Sequence, residues 1–439
     1  MSRFVPAGLV LLLGLAESDG AQAVDQTPPP VVAPLRLSVA DAEALALTNN
    51  PQITVTRLTA LASQEVSQEV RSARYPTLTA YLTGVVANQG SRITAGGLNN
   101  PILYDRLAGG AAASQLITDF GRTGNLVESS DLRAKAEDEQ AVATAAQINL
   151  AVDQAFYGAL ETRALLEVAR QTLAARQAVA DQVRALAESK LKSELDLRFA
   201  EVDLAEANLL LIDAENNQKA SLAALSAVLG FSSEQTFELV EETTAPGGPP
   251  GDVDRLMALA LSRRPELAAL EFESQSLEKF HIAEEDLSLP SVRALGVVGG
   301  APVRNEDHLS DWYGAIGFNV EIPVFNGYLF SSRAKEAELR ARAARESLRD
   351  LRNAVTRDVR TSWLAASTAY ERLAVTRRLL EQANLALDLA RTRYDLGLGS
   401  IVELSQAQLQ ATRAQIGDAS SRYRYRVAEA VLRFETGGP

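Results

Sequence analysis

The chain has 439 residues and a net charge of −13, which argues against nucleic acid as a partner because phosphate binding needs a basic face. It has no cysteine, and this excludes disulfides, thiolate metal sites and a lipid-bearing N-terminal Cys. The hydrophobic share is 46 % but the aromatic share is only 5 %, so the apolar residues are mostly Ala, Leu and Val, as is typical of long helices.

The N-terminus has the pattern of a secretory signal peptide. Arg3 precedes an apolar stretch at residues 5–16, and the small residues of AQA at 21–23 mark a cleavage site, so residues 1–23 are predicted to be removed. A membrane anchor is the weaker reading because a spanning helix needs ~20 apolar residues. Residues 24–36 follow as a proline-rich, extended tail without core-forming capacity.

The rest of the chain is a duplication. Residues 37–239 and 252–436 each contain a short alternating run, then Phe and Gly, then a long helix without proline. The shared phrase reads QLITDFGRTGN at 115–125 and NVEIPVFNGYLF at 319–330. Between the copies, residues 240–251 are predicted to be a linker because they are rich in Pro and Gly.

Each copy is predicted to begin with a helix that proline interrupts. The first helix runs from near Ser38, a favourable N-cap, to about Arg74, with a break at Pro51. The second starts near Asp252 and has Pro265 in the matching place.

A pair of strands is predicted after each interrupted helix. Residues 77–88 and 312–324 alternate between apolar and polar side chains, whereas their partners at 107–119 and 291–300 are rich in Ala and Gly and alternate poorly. The pattern suits either an exposed antiparallel sheet or an outer-membrane barrel, and by itself it favours the sheet. The apolar face of the last strand contains Ile316, Phe318 and Val320.

Two very long helices follow the strands. Residues 124–188 and 331–393 contain no proline, and a helix of about 60 residues spans roughly 90 Å, more than a compact domain can house. In the second copy, apolar residues step by three and four, which predicts a coiled-coil seam. Turns at 191–194 and 397–400 then lead into returning helices.

Four strands in one chain cannot close a membrane barrel, because bacterial outer-membrane barrels begin at about 8 strands. Insertion into lipid therefore requires several copies. Two copies give about 8 strands and three give about 12, and only the wider barrel readily leaves a lumen. Physical reasoning from the sequence leaves both possibilities open.

The order of elements, the phrases LITDFGR and IPVFNGY, and the segment DLGLGSIVELSQAQLQATRAQ together resemble the TolC family of outer-membrane efflux and secretion channels, over about residues 36–436. The resemblance implies a mainly α fold with duplicated, long antiparallel coiled-coil helices in an α-barrel. It also implies a trimer in which four strands per chain build an outer-membrane β-barrel of about 12 strands.

The resemblance implies a function as well. The protein is expected in the outer membrane of a Gram-negative bacterium, in contact with lipid and extending into the periplasm. There it would be the exit duct of a tripartite efflux pump or type I secretion system, passively conducting substrates from an inner-membrane transporter and periplasmic adaptor. Which substrate, transporter and adaptor it serves does not follow from the sequence.

Candidate site residues come from the same resemblance, at the periplasmic tip. Tyr394 matches the gate tyrosine, Asp196 matches its aspartate partner, and Glu403 matches the first acid of a pore ring. The tip turns, where an adaptor would make contact, contain Lys190, Gly397 and Gly399.

Two departures from the family pattern stand out at this tip. Gln406 lies where a second acid can occur, and Gly399 lies where a basic gate residue can occur, so the entrance is expected to be less charged and less tightly latched. Gly397 suits the left-handed turn that ends a helix, whereas Lys190, in the same place of the first copy, tolerates that conformation less well.

Catalysis, cofactors and metals have no candidate residues. His281 and His308 are isolated, and no phosphate loop, nucleophile motif or carboxylate pair is present, so the chain is not expected to be an enzyme. The alternative function is a soluble periplasmic coiled-coil scaffold or adaptor. An adaptor should carry one helical hairpin flanked by compact β domains, whereas this chain has two hairpins.

Overall fold

The computed structural model describes residues 35–86, 106–233, 235–241, 248–304 and 310–438. The predicted signal peptide, the tips of both strand pairs and His308 lie outside these residues. Within them the helices are α1 (Val39–Asn49), α2 (Pro51–Ser72), α3 (Arg122–Glu188), α4 (Glu194–Val228), α5 (Val253–Arg263), α6 (Pro265–Glu285), α7 (Leu329–Asp395) and α8 (Ile401–Glu435). The strands are β1 (Leu35–Leu37), β2 (Thr77–Val85), β3 (Arg106–Thr118), β4 (Phe237–Leu239), β5 (Ser291–Arg304) and β6 (Trp312–Glu321).

The interrupted helices form as predicted. Ser38 caps α1, because its hydroxyl accepts a hydrogen bond from the Asp41 amide at 3.2 Å. Pro51 occupies the first position of α2, where its missing N–H is not needed. Asn50 fixes the junction, since its side chain accepts from the Gln52 amide and donates to the carbonyl of Val228, both at 2.9 Å.

The helices α3 and α7 have 67 residues each, so each is about 100 Å long. The predicted seam of α7 is confirmed by Val355 and Val359, which are 1 % and 0 % exposed and pack against α5 and α6. Among the described residues, every helix is too polar or too short to meet the length and hydropathy of a membrane-crossing helix.

The four long strands form one antiparallel sheet in the order β2-β3-β5-β6. Directly paired residues share a face, and one such row is Leu78, Ala113, Gly296 and Ile316. Phe318 and Val320 lie on the same face as Ile316, which confirms the predicted alternation of β6. This strand ends at Glu321, three residues before the predicted end, because Pro323 has no N–H to donate.

The opposite face explains why β3 and β5 alternate poorly. One row there runs through Tyr81, Gly110, Gly299 and Tyr313. The Tyr313 ring lies flat across the two glycines, and a Cβ on Gly299 would come within 2.4 Å of its hydroxyl oxygen. Glycine in these strands therefore makes room for an aromatic side chain from the neighbouring strand.

A small parallel sheet of β1 and β4 was not predicted. The sequence placed residue 36 at the end of a structureless tail, yet Leu35–Leu37 pairs in register with Phe237–Leu239. Leu37 is 2 % exposed and joins the largest core cluster, which surrounds Phe156 on α3. Thus the start of the first repeat is tied to its end.

The described end of the linker is also held against the helices. The indole N–H of Trp363 donates to the carbonyl of Gly251 at 2.8 Å, and the Tyr425 hydroxyl donates to that of Gly248 at 2.9 Å. On its other side, the Tyr423 hydroxyl donates to Glu241 at 3.0 Å. The described ends of the linker are therefore bound, Glu241 and Gly248 to α8 and Gly251 to α7.

The long helices form open strips rather than a closed bundle. Near the sheet, α2 packs on α3, α3 on α6, and α6 on α7. Towards the other end, α4 packs on α3, α3 on α8, and α8 on α7. In both strips α7 is one edge, and a helix of the first repeat is the other.

Both tip turns have the same backbone. Lys190 and Gly397 are left-handed, with φ of 63° and 72°. In the first turn the Leu191 amide donates to the carbonyl of Leu186, and in the second the Leu398 amide donates to that of Arg393, both at 2.8 Å. These are Schellman endings of α3 and α7. Lys190 adopts the conformation that the sequence marked as unfavourable for it.

A buried acid lies where α1, α3 and α8 meet. Asp153 is 3 % exposed, and its Oδ2 accepts a hydrogen bond from Arg433 at 2.7 Å. Burial is the main cause that raises the pKa of Asp153 to about 7, and the neighbouring Glu43 carboxyl adds to it, whereas the charge of Arg433 opposes it. This joint therefore changes its charge near neutral pH.

We expect the stability of this joint to fall as pH rises through about 7. The folded pKa of Asp153 lies above its ordinary value of 3.8, so its contribution is complete below about pH 4 and is lost above about 7. Asp153→Asn stays neutral and should flatten the curve of melting temperature against pH between pH 5 and 8.5. An unchanged pH dependence in this variant would exclude the assignment.

The tip turns give a second prediction. Lys190→Gly should stabilise the first turn by about 0.5–1 kcal/mol, because glycine adopts a left-handed conformation without a Cβ penalty. Gly397→Ala, the opposite change in the equivalent turn, should destabilise the second by about 1 kcal/mol. Amide exchange at Leu191 should slow in the first variant, and exchange at Leu398 should accelerate in the second. A change of amide exchange in the same direction in both variants would contradict the claim that Lys190 is strained in the left-handed conformation.

Candidate pore entrance at the helical tips

The two helical hairpins of the chain share one small core at their tips. This tip cluster brings together α3 and α4 of the first repeat and α7 and α8 of the second. Its buried members are Ala180, Val183, Ala200, Tyr394, Ile401 and Leu404. Apolar packing therefore holds the hairpins side by side where the sequence placed the entrance.

Tyr394 is the only aromatic residue of the tip cluster and is 3 % exposed. Its hydroxyl is buried and has no hydrogen-bond partner among the described residues. Burial raises the pKa of this hydroxyl, and the charges of Asp196 and Asp395 raise it further, so both acids lie nearby.

The hydrogen bond predicted between Tyr394 and Asp196 is not formed in this structure. The Asp196 carboxylate instead accepts from the backbone amide of Ser193 at 3.2 Å, while the Ser193 hydroxyl accepts from the Asp196 amide at 3.1 Å. This capping box occupies the carboxylate at the start of α4. The S-x-x-D pattern was readable in the sequence, and the sequence analysis missed it.

Glu403 is the equivalent of Asp196 in the second repeat. It is the third residue of α8, and its amide donates to the Ser400 hydroxyl at 3.1 Å. Its carboxylate lies 3.3 Å from the guanidinium of Arg393, which also donates to the carbonyl of Leu398. The second tip turn is thus closed by an ion pair between the end of α7 and the start of α8.

This ion pair accounts for the glycine at position 399. A Cβ there would lie 3.3 Å from Glu403 Oε2 and 3.4 Å from Arg393 Cβ, tighter than ordinary contact. The sequence showed that no base stands at Gly399, but it did not reveal that Arg393 pairs with the ring acid. A cation in the last turn of a helix, facing an acid in the first turn of the next, was the available signal.

Further polar contacts join the hairpins. Arg176 of α3 is 6 % exposed and donates to Asp203 of α4 at 2.8 Å and to Gln408 of α8. Closer to the tip, Gln182 of α3 donates to Asp395 of α7 at 3.4 Å. In addition, the ammonium of Lys192 lies 4.2 Å from the centre of the Tyr394 ring. The sequence analysis identified none of these contacts.

The tip combines charged side chains with a buried tyrosine. Among the described residues, no group of three or more His, Asp or Glu side chains is placed to hold a metal ion. His281 lies away from the tip, with its Nε2 at 3.6 Å from Glu285. Acids, bases and a buried tyrosine at a joint between helices can select ions by charge and can change their packing.

The chain is similar in sequence to known outer-membrane proteins. A sequence profile described as outer membrane efflux protein matches residues 44–231 and 256–438, which cover most of both repeats. The outer membrane protein TolC of Vibrio cholerae is 24 % identical over 328 residues, 71 % of this chain and 72 % of that protein. The outer membrane protein OprJ of Pseudomonas aeruginosa is 25 % identical over 383 residues, 83 % of this chain and 76 % of that protein.

Solved structures show the same fold. The chain resembles CusC with a TM-score of 0.79 at 19 % identity, over 91 % of this chain and 92 % of CusC. It resembles the open state of the Neisseria gonorrhoeae MtrE channel with a TM-score of 0.75 at 20 % identity, over 91 % and 89 % of the two chains. These similarities show the fold, and the profile match over most of the chain establishes that it belongs to the outer membrane efflux protein family.

Proposed function

We propose that three copies of this chain form a passive exit duct that crosses the outer membrane and continues through the periplasm. Its open end would dock on a periplasmic adaptor and receive substrates from an inner-membrane transporter. Membership of the family places the protein in the outer membrane and makes it an efflux channel. The proposed assembly is inferred from one observation: the sheet and both helical layers of the chain are open strips with two unpaired edges.

Unpartnered apolar stripes lie along the edges of the strips. On α4 they step by three, four and seven residues, which places them on one face of the helix. The exposed apolar residues of α4 are Leu195, Phe199, Val202, Leu209 and Ile212. Those of α7, at the opposite edge, include Leu364, Val375, Leu379, Leu385 and Leu389. A lone chain would leave both stripes in water.

The same edges occur in the other two layers. Near the sheet, α2 exposes Val55, Leu58 and Val66 at the edge opposite α7. In the sheet, β2 and β6 are the unpaired edges. Each layer thus has first-repeat elements at one edge and second-repeat elements at the other, so head-to-tail contact between copies can close all layers into rings. Three copies then give a barrel of about 12 strands.

The sheet distinguishes this proposal from a soluble scaffold or adaptor. Ile316 and Phe318 of β6 are 89 % and 75 % exposed, and Val320 is 55 % exposed. Lipid is the favourable environment for such a face, and it would be a liability on a soluble protein. We therefore assign these side chains to the lipid contact, and we assign no catalytic step to the chain.

At the other end, three tips would meet around one axis. Asp196, Tyr394 and Glu403 would then line or support a constriction, and the turns at Lys190, Gly397 and Gly399 would be the parts that an adaptor reaches first. The experiment for the whole proposal is native mass spectrometry of the detergent-purified protein with conductance in a planar bilayer. Three chains per particle and discrete channels are expected, whereas a stable soluble monomer would refute the duct.

The lipid-facing assignment gives a prediction of its own. Phe318→Arg places a charge in hydrocarbon, at about 2–4 kcal/mol per chain near the midplane, and should reduce the trimer recovered from outer membranes. Ala315→Arg is the matched control because residue 315 lies on the other face, opposite Val297. Asn319 on that face is less suitable, since it lies opposite Arg293. Equal losses in both variants would show that the register, or the barrel itself, is wrong, and a larger loss in Ala315→Arg would show that the faces are reversed.

The acid ring gives another prediction. Glu403→Gln removes three carboxylates from the entrance of a trimer and leaves Arg393 without its partner, so the cation preference should weaken. The measurement is the reversal potential in a salt gradient across a planar bilayer. Glu194→Gln, the same change at an exposed residue in the first turn of α4, should have the smaller effect. An identical reversal potential in Glu403→Gln and the unmodified channel would show that Glu403 does not line the pore.

A further inference from the structure

At the tip, a lysine of the first hairpin contacts an aromatic ring of the second hairpin. Lys192 belongs to the turn between α3 and α4, and its ammonium is 4.2 Å from the centre of the Tyr394 ring at the end of α7. The ring is buried in the tip cluster, whereas Lys192 is half-buried. This is a cation–π contact between the first and second repeats.

The direction of Lys192 is set by its backbone. The left-handed conformation of Lys190 ends α3, and the amide of Lys192 donates to the carbonyl of Leu186 at 3.2 Å. The side chain therefore leaves a fixed turn, and less conformational freedom is lost when it reaches the ring.

The repeats differ at this point. The residue equivalent to Lys192 in the second turn is Gly399, which has no side chain and lies close to Arg393 and Glu403. A basic residue at this turn position therefore comes from the first repeat alone. Two acids, Asp196 and Asp395, lie near enough to Tyr394 to raise the pKa of its hydroxyl.

Among the described residues, the hydroxyl of Tyr394 has no hydrogen-bond partner, so it does not hold the hairpins together in this conformation. The Tyr394 ring does have a polar contact, with the ammonium of Lys192. An orphaned buried hydroxyl disfavours the packed state, and the attraction between Lys192 and the ring offsets part of that cost, alongside the contacts of Arg176 with Gln408 and of Gln182 with Asp395.

We propose that Lys192 is the gate latch of this channel: it holds the two hairpins of each subunit together through the ring of Tyr394, and separation of this pair accompanies opening. The proposal rests on the proposed function, since a latch needs a duct to close. Lys192 acts as a positioning residue, because it keeps Tyr394 and the helices around it in the closed packing.

The central test is single-channel recording of Lys192→Met, which keeps the length of the side chain and removes its charge. We expect the open probability to rise by about twofold to fivefold per subunit, the range for a partly exposed cation–π contact. Lys192→Arg, which keeps the contact, should behave as the unmodified channel. Lys219→Met, the same change on the exposed face of α4, is the matched control.

Substitutions of Tyr394 show whether the ring or the hydroxyl of this residue keeps the gate closed. Tyr394→Phe keeps the ring and should leave the gate closed, whereas Tyr394→Leu should open it. In the Lys192→Met background, Tyr394→Leu should then add little, because the pair acts as a unit. Opening by Tyr394→Phe equal to that by Tyr394→Leu would transfer the role to the hydroxyl and overturn the proposal.

A measurement without current keeps this inference separate from the proposed function. In detergent, Lys192→Met should speed amide exchange at residues 180–200 and 387–404, and Lys219→Met should not. Equal exchange and equal open probability in these two variants would refute the role of Lys192 without affecting the proposed function. If the unmodified protein carried no current at all, the proposed function would be refuted, and the exchange data would still decide whether Lys192 joins the hairpins.

Discussion

The structure depends on one constraint: every layer of the chain is an open strip with unpaired edges. In the sheet these edges are unsatisfied backbone groups of β2 and β6, and in the helical layers they are apolar stripes. Because the first repeat supplies one edge and the second the other, the edges are complementary between copies and not within one copy. The proposed closure around an axis rests on the order of packing, α2-α3-α6-α7 and α4-α3-α8-α7. A channel is the natural product of such a strip.

The duplication gives the chain two similar hairpins, and the few residues that differ between them determine the side-chain contacts at the tip. Both returning helices start with a Ser cap and an acid three residues later. The Asp196 carboxylate completes the cap of α4, whereas only the backbone amide of Glu403 takes part in the cap of α8. The second acid pairs with Arg393, whereas the first repeat contributes Lys192 to the Tyr394 ring. The joint is therefore asymmetric within each subunit, and motion of one hairpin against the other changes different contacts on the two sides.

Most of the fold was predictable because its signals are local. Proline marked the breaks before α2 and α6, alternation marked β2 and β6, and the absence of proline over 60 residues marked α3 and α7. The short strands β1 and β4 were missed, since three residues that pair over 200 positions apart carry no periodicity of their own. The poor alternation of β3 and β5 had a tertiary cause as well, because their glycines make room for Tyr313 from β6.

At the tip, the sequence by itself determined which residues lie in the turns, that the turn at Gly397 is a left-handed ending, and that acids stand at the start of the returning helices. Only the tertiary structure decided what those side chains contact. The Asp196 carboxylate is taken by its own cap, Glu403 by Arg393, and the Tyr394 ring by Lys192, three outcomes that depend on how two hairpins over 200 residues apart pack together. Helix ends are encoded within a few neighbouring residues, whereas partners across a joint are set by the packing of whole helices.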